Sequence, residues 1–175
     1  MMKRILAVGL LAALPLTANA GFGVTGTLGS IENSINTDYF AGQHYYPTLD
    51  YKQGPYLVQV AALDLINTMG ADDEDYMLFG VNGYYQFGKG PVAPEVTGVR
   101  QIGASLDYHQ VAEDVTFTTV MASFRMGAQS VKKMGVGIYV VPEIGVNLAS
   151  EDAREESMEL AVGGQVQLSV WMAGK

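Results

Sequence analysis

Ser105, Asp107 and His109 bring the three side-chain types of a hydrolytic triad into one short stretch. They alternate with Ala104, Leu106 and Tyr108, so the stretch reads as a strand that puts all three on one face. That spacing defeats the chemistry. Same-face neighbours lie about 6.6 Å apart at a rise of roughly 3.3 Å per residue, beyond the hydrogen-bond reach a nucleophile and its base need. The other histidine, His44, falls in an expected loop. No catalytic residue, and no cofactor, is expected.

Carboxylates offer a second chemistry. Asp72, Asp73, Glu74 and Asp75 are consecutive, and Glu151, Asp152, Glu155 and Glu156 surround Arg154. Such oxygens suit hard divalent cations, although neither run has the spacing of an EF-hand. A solvated, self-repelling charge run is the competing reading. Cysteine is absent, which excludes a disulfide scaffold, a thiol nucleophile and zinc–thiolate ligation.

The elements that must position these groups are strands. Segment 134–148 alternates over fifteen residues: Val136, Ile138, Val140, Pro142, Ile144, Val146 and Leu148 share one parity, with Gly135, Gly137, Tyr139, Val141, Glu143, Gly145 and Asn147 on the other, and Pro142, which cannot donate to a ladder, marks a local bulge or break. Segment 158–172 repeats the pattern, with Leu160, Val162, Val166, Leu168 and Val170 set against Glu159, Gln165, Gln167 and Ser169. Strict period-2 alternation is a strand signal, and soluble strands seldom run this long. Segments 22–31, 45–51, 56–67, 76–88, 99–109 and 115–126 complete a set of eight. In 56–67 the parity slips near Ala61 and Ala62, which suggests a bulge; a helix is the alternative there.

Charge gives the strands an order. Twelve of the eighteen carboxylates sit in the connections 32–44, 68–75, 109–115 and 149–157, while Lys52, Lys89, Lys132 and Lys133 mark the connections between them. Acidic and basic connections therefore alternate. Strands running up and down would gather the acidic ones at one end and the basic ones at the other. Lys52-Gln53-Gly54-Pro55 reads as a tight turn, and Gly88-Lys89-Gly90-Pro91 opens a longer link. Aromatic residues mark both ends: Phe22, Tyr51, Tyr56, Tyr85, Phe87, Phe124 and Trp171 on the lysine side, and Tyr45, Tyr76, Phe79, Tyr108 and Phe117 on the other. Two such belts are expected where amphipathic rings meet lipid headgroups.

The first twenty residues have a positive start at Lys3 and Arg4, an apolar run from Ile5 to Leu16, and Ala18-Asn19-Ala20 before Gly21. These are the three regions of a cleavable export signal, and the run is shorter than the 18 or so residues of a membrane-spanning helix. The expected organisation is a signal over 1–20 and one barrel domain over 21–175. Removing Lys3 and Arg4 leaves eight basic against eighteen acidic residues, a formal charge of −10. Nucleic acid, which wants a basic face, is not an expected partner.

With 49% hydrophobic residues, abundant Gly and no helical span after the signal, the chain resembles the small eight-stranded outer-membrane β-barrel proteins of Gram-negative bacteria, over essentially residues 21–175. The fold class implied is all-β, an antiparallel up-and-down transmembrane β-barrel. Within it, Tyr46-Pro47-Thr48-Leu49-Asp50-Tyr51, followed by Gly54-Pro55-Tyr56, is similar to the Pro-x-Leu-x-Tyr strand of the OmpV-like (MltA-interacting) family. The serine spacing departs from the His-x-Ser motif of the outer-membrane lipid A deacylases. Barrels of this kind commonly end on an aromatic residue, whereas Trp171 is followed by Met172-Ala173-Gly174-Lys175 and takes the inward parity. The implied partners are outer-membrane lipid and lipopolysaccharide, bridged by Ca²⁺ or Mg²⁺ at the acidic runs, and the barrel-assembly machinery. Lys89, Lys132 and Lys133 would face periplasmic headgroups or peptidoglycan.

An eight-stranded barrel has an interior just filled by side chains. The inward set is Asp50, Gln59, Asn82, Tyr84, Gln86, Gln101, Ser105, Asp107, Arg125, Tyr139, Glu143, Gln165 and Gln167. A buried charge must be paired, so Arg125, the basic residue at mid-strand depth, is expected to pair with Glu143 or Asp107 in a polar network that includes Tyr139. Three roles fit: a structural or surface-interacting barrel, a narrow channel or small-ligand conduit, and a soluble exported barrel holding a small apolar ligand.

Overall fold

The computed structural model describes residues 20–33, 42–61, 77–110, 116–132, 134–149 and 158–172. They form eight strands: β1 (Ala20–Asn33), β2 (Gly42–Gln53), β3 (Tyr56–Ala61), β4 (Met77–Ala93), β5 (Val96–Gln110), β6 (Thr116–Ser130), β7 (Met134–Ala149) and β8 (Met158–Met172). Each pairs antiparallel with the next, and β8 closes on β1 with Val24 opposite Val170 and Thr27 opposite Gln167. Every strand thus has two neighbours; β3, described to Ala61, pairs with residues 48–53 of β2 and 81–85 of β4.

Strand parity sorts the residues into two environments. Val136, Ile138, Val140 and Ile144 of β7 and Leu160, Leu168 and Val170 of β8 point outward and stay between 44% and 58% exposed. Their neighbours Tyr139, Glu143, Asn147, Gln165, Gln167 and Ser169 are buried. Leu28 and Leu49 continue the apolar face across β1 and β2, and Ile102 and Leu106 carry it onto β5. The molecule is thus apolar outside and polar inside. Water would not tolerate so continuous an apolar exterior, whereas hydrocarbon matches it, and closure into a barrel pairs strand with strand as a bilayer requires.

The lysine end closes with short turns. Gly54, at φ 56°, occupies the first central position of the β2–β3 hairpin, as the type II′ hairpin turn requires. The β4–β5 connection is not the longer link read from Gly88 onward. Both strands continue past it, with register shifts between Gln86 and Gly88 and between Pro91 and Ala93, and the hairpin turns at Pro94 and Glu95. Lys89 therefore lies on β4 rather than in a connection. Strand β6 likewise runs four residues beyond the expected end at 126. Glu95 adopts φ 61°, its carbonyl accepts the Val131 amide at 3.0 Å, and its carboxylate pairs with Lys132 at 2.8 Å. The β4–β5 hairpin is thereby tied to the β6–β7 turn.

Aromatic pairs mark this end. Phe22 packs on Tyr51, Tyr56 on Tyr85 and Phe87 on Phe124, with centroids 5.4, 5.5 and 6.0 Å apart. At the other end Phe79 and Tyr108 are direct ladder partners; Tyr76 and the side chains of Tyr45 and Phe117 lie outside the described residues. So do the expected signal up to residue 19 and the acidic runs at 72–75 and 151–156; of the bulge expected near Ala61 and Ala62, Ala61 is described and pairs in register with Thr48, and Ala62 is not described. The topology nevertheless brings all four acidic connections to one barrel end, because each joins an odd strand to the even strand after it.

Candidate functional site in the barrel lumen

Arg125 occupies the centre of the lumen and is 1% exposed. It arrives from β6 between Ser123 and Gly127, and the glycines around it decide where the neighbouring ring can lie. A Cβ on Gly127 would stand 2.7 Å from the Tyr139 backbone and ring, and one on Gly137 would stand 2.5 Å from the Tyr139 hydroxyl. Their absence lets Tyr139 fold along the wall. The guanidinium then sits 3.3 Å from the centroid of the Tyr139 ring and 5.6 Å from that of Tyr84, where the ring faces attract a cation.

The guanidinium hydrogens go to neutral oxygens. Nε donates to Gln167 Oε1 at 2.7 Å, Nη1 to Gln101 Oε1 at 2.5 Å and Nη2 to Ser169 Oγ at 3.2 Å. This corrects the expected pairing with Glu143 or Asp107. Asp107 lies six residues further along β5 than Gln101, about 20 Å at the usual rise per residue, which no arginine side chain spans. Glu143 instead accepts from Gln165 Nε2 at 2.8 Å, and Gln165 accepts from Gln167 Nε2 at 2.8 Å. Arg125 and Glu143 are therefore two glutamines apart.

Asp50 is the carboxylate that answers Arg125, and it does so at second hand. It accepts from the Thr25 hydroxyl, from Thr48 Oγ1 at 2.6 Å and from Gln59 Nε2 at 3.2 Å. Thr25 Oγ1 lies 2.6 Å from Ser169 Oγ, and Gln167 Nε2 donates to Gln59 Oε1 at 3.3 Å. Two hydrogen-bonded bridges thus join the charges, one through Ser169 and Thr25, the other through Gln167 and Gln59. Strands β2 and β6 stand on opposite sides of an eight-stranded barrel, so these bridges cross and fill the lumen. Below them Trp171 packs inward against Leu57, Tyr84 and Val141, with Lys52 Nζ 5.8 Å from its ring centroid.

Strand parity placed Asp50, Gln59, Gln101 and Gln167 inside, but alternation along one strand does not say which residues meet across the barrel. Thr25, Thr48 and Ser169 were missed as members because a hydroxyl on an alternating strand carries no distinctive signal. Ser105 does lie in the lumen; its Oγ is buried without a hydrogen-bond partner, and the side chain of His109 lies outside the described residues. Among the described residues no group of three or more His, Cys, Asp or Glu is placed to hold a metal, and no helix is long and apolar enough to cross a membrane.

What this arrangement does chemically is hold a buried cation and a buried carboxylate in a closed circuit of hydrogen bonds. Such a circuit spans the lumen from β6 to β2.

No family model matches the chain, so the Pro47-x-Leu49-x-Tyr51 stretch stands as part of β2 and assigns no family. No curated protein matches it either. Among solved structures the chain is similar to Neisserial surface protein A, at 9% identity and a TM-score of 0.47 over 90% of this chain and 97% of that one. It is also similar to Ail, the attachment invasion locus protein of Yersinia pestis, at 8% identity and a TM-score of 0.18, and to Ail in complex with the heparin analogue sucrose octasulfate, at 6% and 0.18. In both Ail structures the match covers 87% of this chain and 97% of the other. The assignment of an eight-stranded antiparallel barrel rests on the strand pairing of this chain itself.

Proposed function

We propose that the chain is a non-enzymatic outer-membrane β-barrel whose acidic end faces outward, with a structural or surface-interaction role in the cell envelope. The observation that carries this reading is the inversion of the barrel: an apolar exterior around a lumen filled by the Arg125–Asp50 circuit. An exterior of that kind needs a bilayer, and the expected export signal over 1–20, with Gly21 as the first mature residue, directs the chain to an envelope membrane. The lysine turns then face the periplasm, and the carboxylate-rich connections face out toward lipopolysaccharide, which divalent cations can bridge to them. Insertion falls to the barrel-assembly machinery.

The filled lumen favours this role over a conduit. Fractionation of the exported protein tests the reading: recovery only with detergent, together with a band that shifts on a gel after boiling, is expected, and extraction in aqueous buffer overturns it. In planar bilayers the wild-type barrel is expected to stay silent, and stepwise conductance would shift the assignment to a channel.

A further inference from the structure

The Arg125 circuit leaves seven buried polar side-chain atoms of the described residues without a hydrogen-bond partner; Tyr84 Oη and Trp171 Nε1 are two of them, and the other five lie toward the acidic end. Glu143 Oε1, Ser105 Oγ, Ser123 Oγ, Thr27 Oγ1 and Asn147 Nδ2 are all buried without a hydrogen-bond partner. All five lie on the acidic side of the circuit: Ser123 is two residues beyond Arg125 on β6, Thr27 two beyond Thr25 on β1, and Ser105 four beyond Gln101 on β5. Ser123 is the direct ladder partner of Glu143. Ser105, two residues beyond Gly103, the partner of Ser123, stands diagonal to Ser123 on β5. The Glu143 carboxylate and the Ser123 hydroxyl therefore share one ladder pair, with the Ser105 hydroxyl on the strand beyond.

The charge there is unbalanced. Arg125 is answered by Asp50 through its bridges, while Glu143, 4% exposed, receives one hydrogen bond from a neutral glutamine. Lys132 with Glu95, far off at the lysine end, is the salt bridge found among the described residues. A buried carboxylate without a countercharge is costly. We infer that Glu143, Ser123 and Ser105 bind a hard cation, alkali or alkaline-earth, in the acidic half of the lumen. Oxygen donors of this kind match such ions, and water completes their shell. The acidic connections at that mouth raise the local cation concentration by their field, which gives the carboxylate rim a task in supplying the ion. This site goes beyond the surface role proposed above and stands or falls without it.

The test uses barrel refolded in zwitterionic, lipopolysaccharide-free micelles after treatment with chelator. Thermal unfolding, read as loss of the heat-dependent gel shift, is followed while Ca²⁺, Mg²⁺ or Na⁺ is titrated, and Tb³⁺ luminescence excited through the lumen tyrosines reports occupancy. A saturable rise in Tm with at least one of these ions is expected. Glu143→Gln should weaken the apparent affinity at least tenfold, the double change Ser105→Ala with Ser123→Ala should weaken it severalfold, and replacement of Asp72, Asp73, Glu74 and Asp75 by their amides should leave the saturable phase in place. The inference is overturned if the wild type shows no ion-dependent rise, if E143Q keeps the full response while the loop variant loses it, or if stability follows pH alone whatever the ion.

Discussion

Arg125→Met removes a charge and five donors while keeping most of a long side chain in the lumen. The acceptors Gln167 Oε1 and Gln101 Oε1, now at 2.7 and 2.5 Å from the guanidinium, lose their donor, and Asp50 loses the cation that its two bridges lead to. A stranded buried acceptor costs about 1–3 kcal/mol, and loss of one partner of a buried charge pair costs about 3–5 kcal/mol. Glutamine amides can turn to new donors, so these terms overlap, and a total of about 3–5 kcal/mol is expected rather than their sum. Asp50→Asn in the same background removes the stranded carboxylate and should return part of that loss. The expected coupling between positions 125 and 50 is about 1–3 kcal/mol, in the range found for groups sharing one network. Urea unfolding of barrels in phosphatidylcholine vesicles measures it, with the emission of Trp171, the single tryptophan and an inward one, as the probe. Additive single effects, or a larger coupling of Arg125 with Glu143 than with Asp50, would refute the bridged pair.

Other perturbations probe the walls and the ends. Gly127→Ala places a Cβ 2.0 Å from the Ile138 carbonyl oxygen, and overpacking of that kind should cost about 1–3 kcal/mol or more; Gly83→Ala, with nothing within 4 Å of its Cβ, is the control and should be stable or slightly better by the same urea assay. Val166→Arg puts a charge on the outward face of β8, where Val166 is 47% exposed. In a bilayer it should cost about 2–4 kcal/mol near the midplane, whereas an aqueous exterior would make it nearly free, so the loss measured in vesicles separates the two solvents. Glu95→Gly relieves the left-handed φ of 61°, worth about 1–2 kcal/mol, and gives up an exposed ion pair worth about 0–1 kcal/mol; equal or higher stability is expected, with less dependence on salt.

The parts of the fold legible in the sequence are those where two solvents act on one strand. Segment 158–172 matches β8 from end to end, and 134–148 falls one residue short of β7. Between hydrocarbon outside and packed polar groups inside, a residue on the wrong parity costs several kcal/mol, and that penalty writes the alternation into the chain. Past the apolar band the penalty vanishes. Gly88, Gly90 and Pro91 of β4 and the Gly127-Ala128-Gln129-Ser130 end of β6 alternate poorly, so the strands there run beyond their apparent ends.

The lumen was half legible for a related reason. Parity placed Asp50 and Arg125 inside, but a strand's period is blind to the partner across the barrel. Closure settles that partner, because β2 and β6 come opposite each other only when β8 meets β1. The expected Glu143 was the nearer choice along the chain and in the ladder, being opposite Ser123, two residues from Arg125. What decides against it is the shape of the wall: Tyr139 lies over Gly127 and Gly137, takes the face of the guanidinium, and leaves its edge aimed at Gln101, Gln167 and Ser169. A ring in two glycine gaps therefore selects the charge partner. Gly137→Ala, which would push the Tyr139 hydroxyl from its place, should weaken the coupling of Arg125 with Asp50 as well as stability, and unchanged coupling in a double-mutant cycle would show that the glycines serve packing alone.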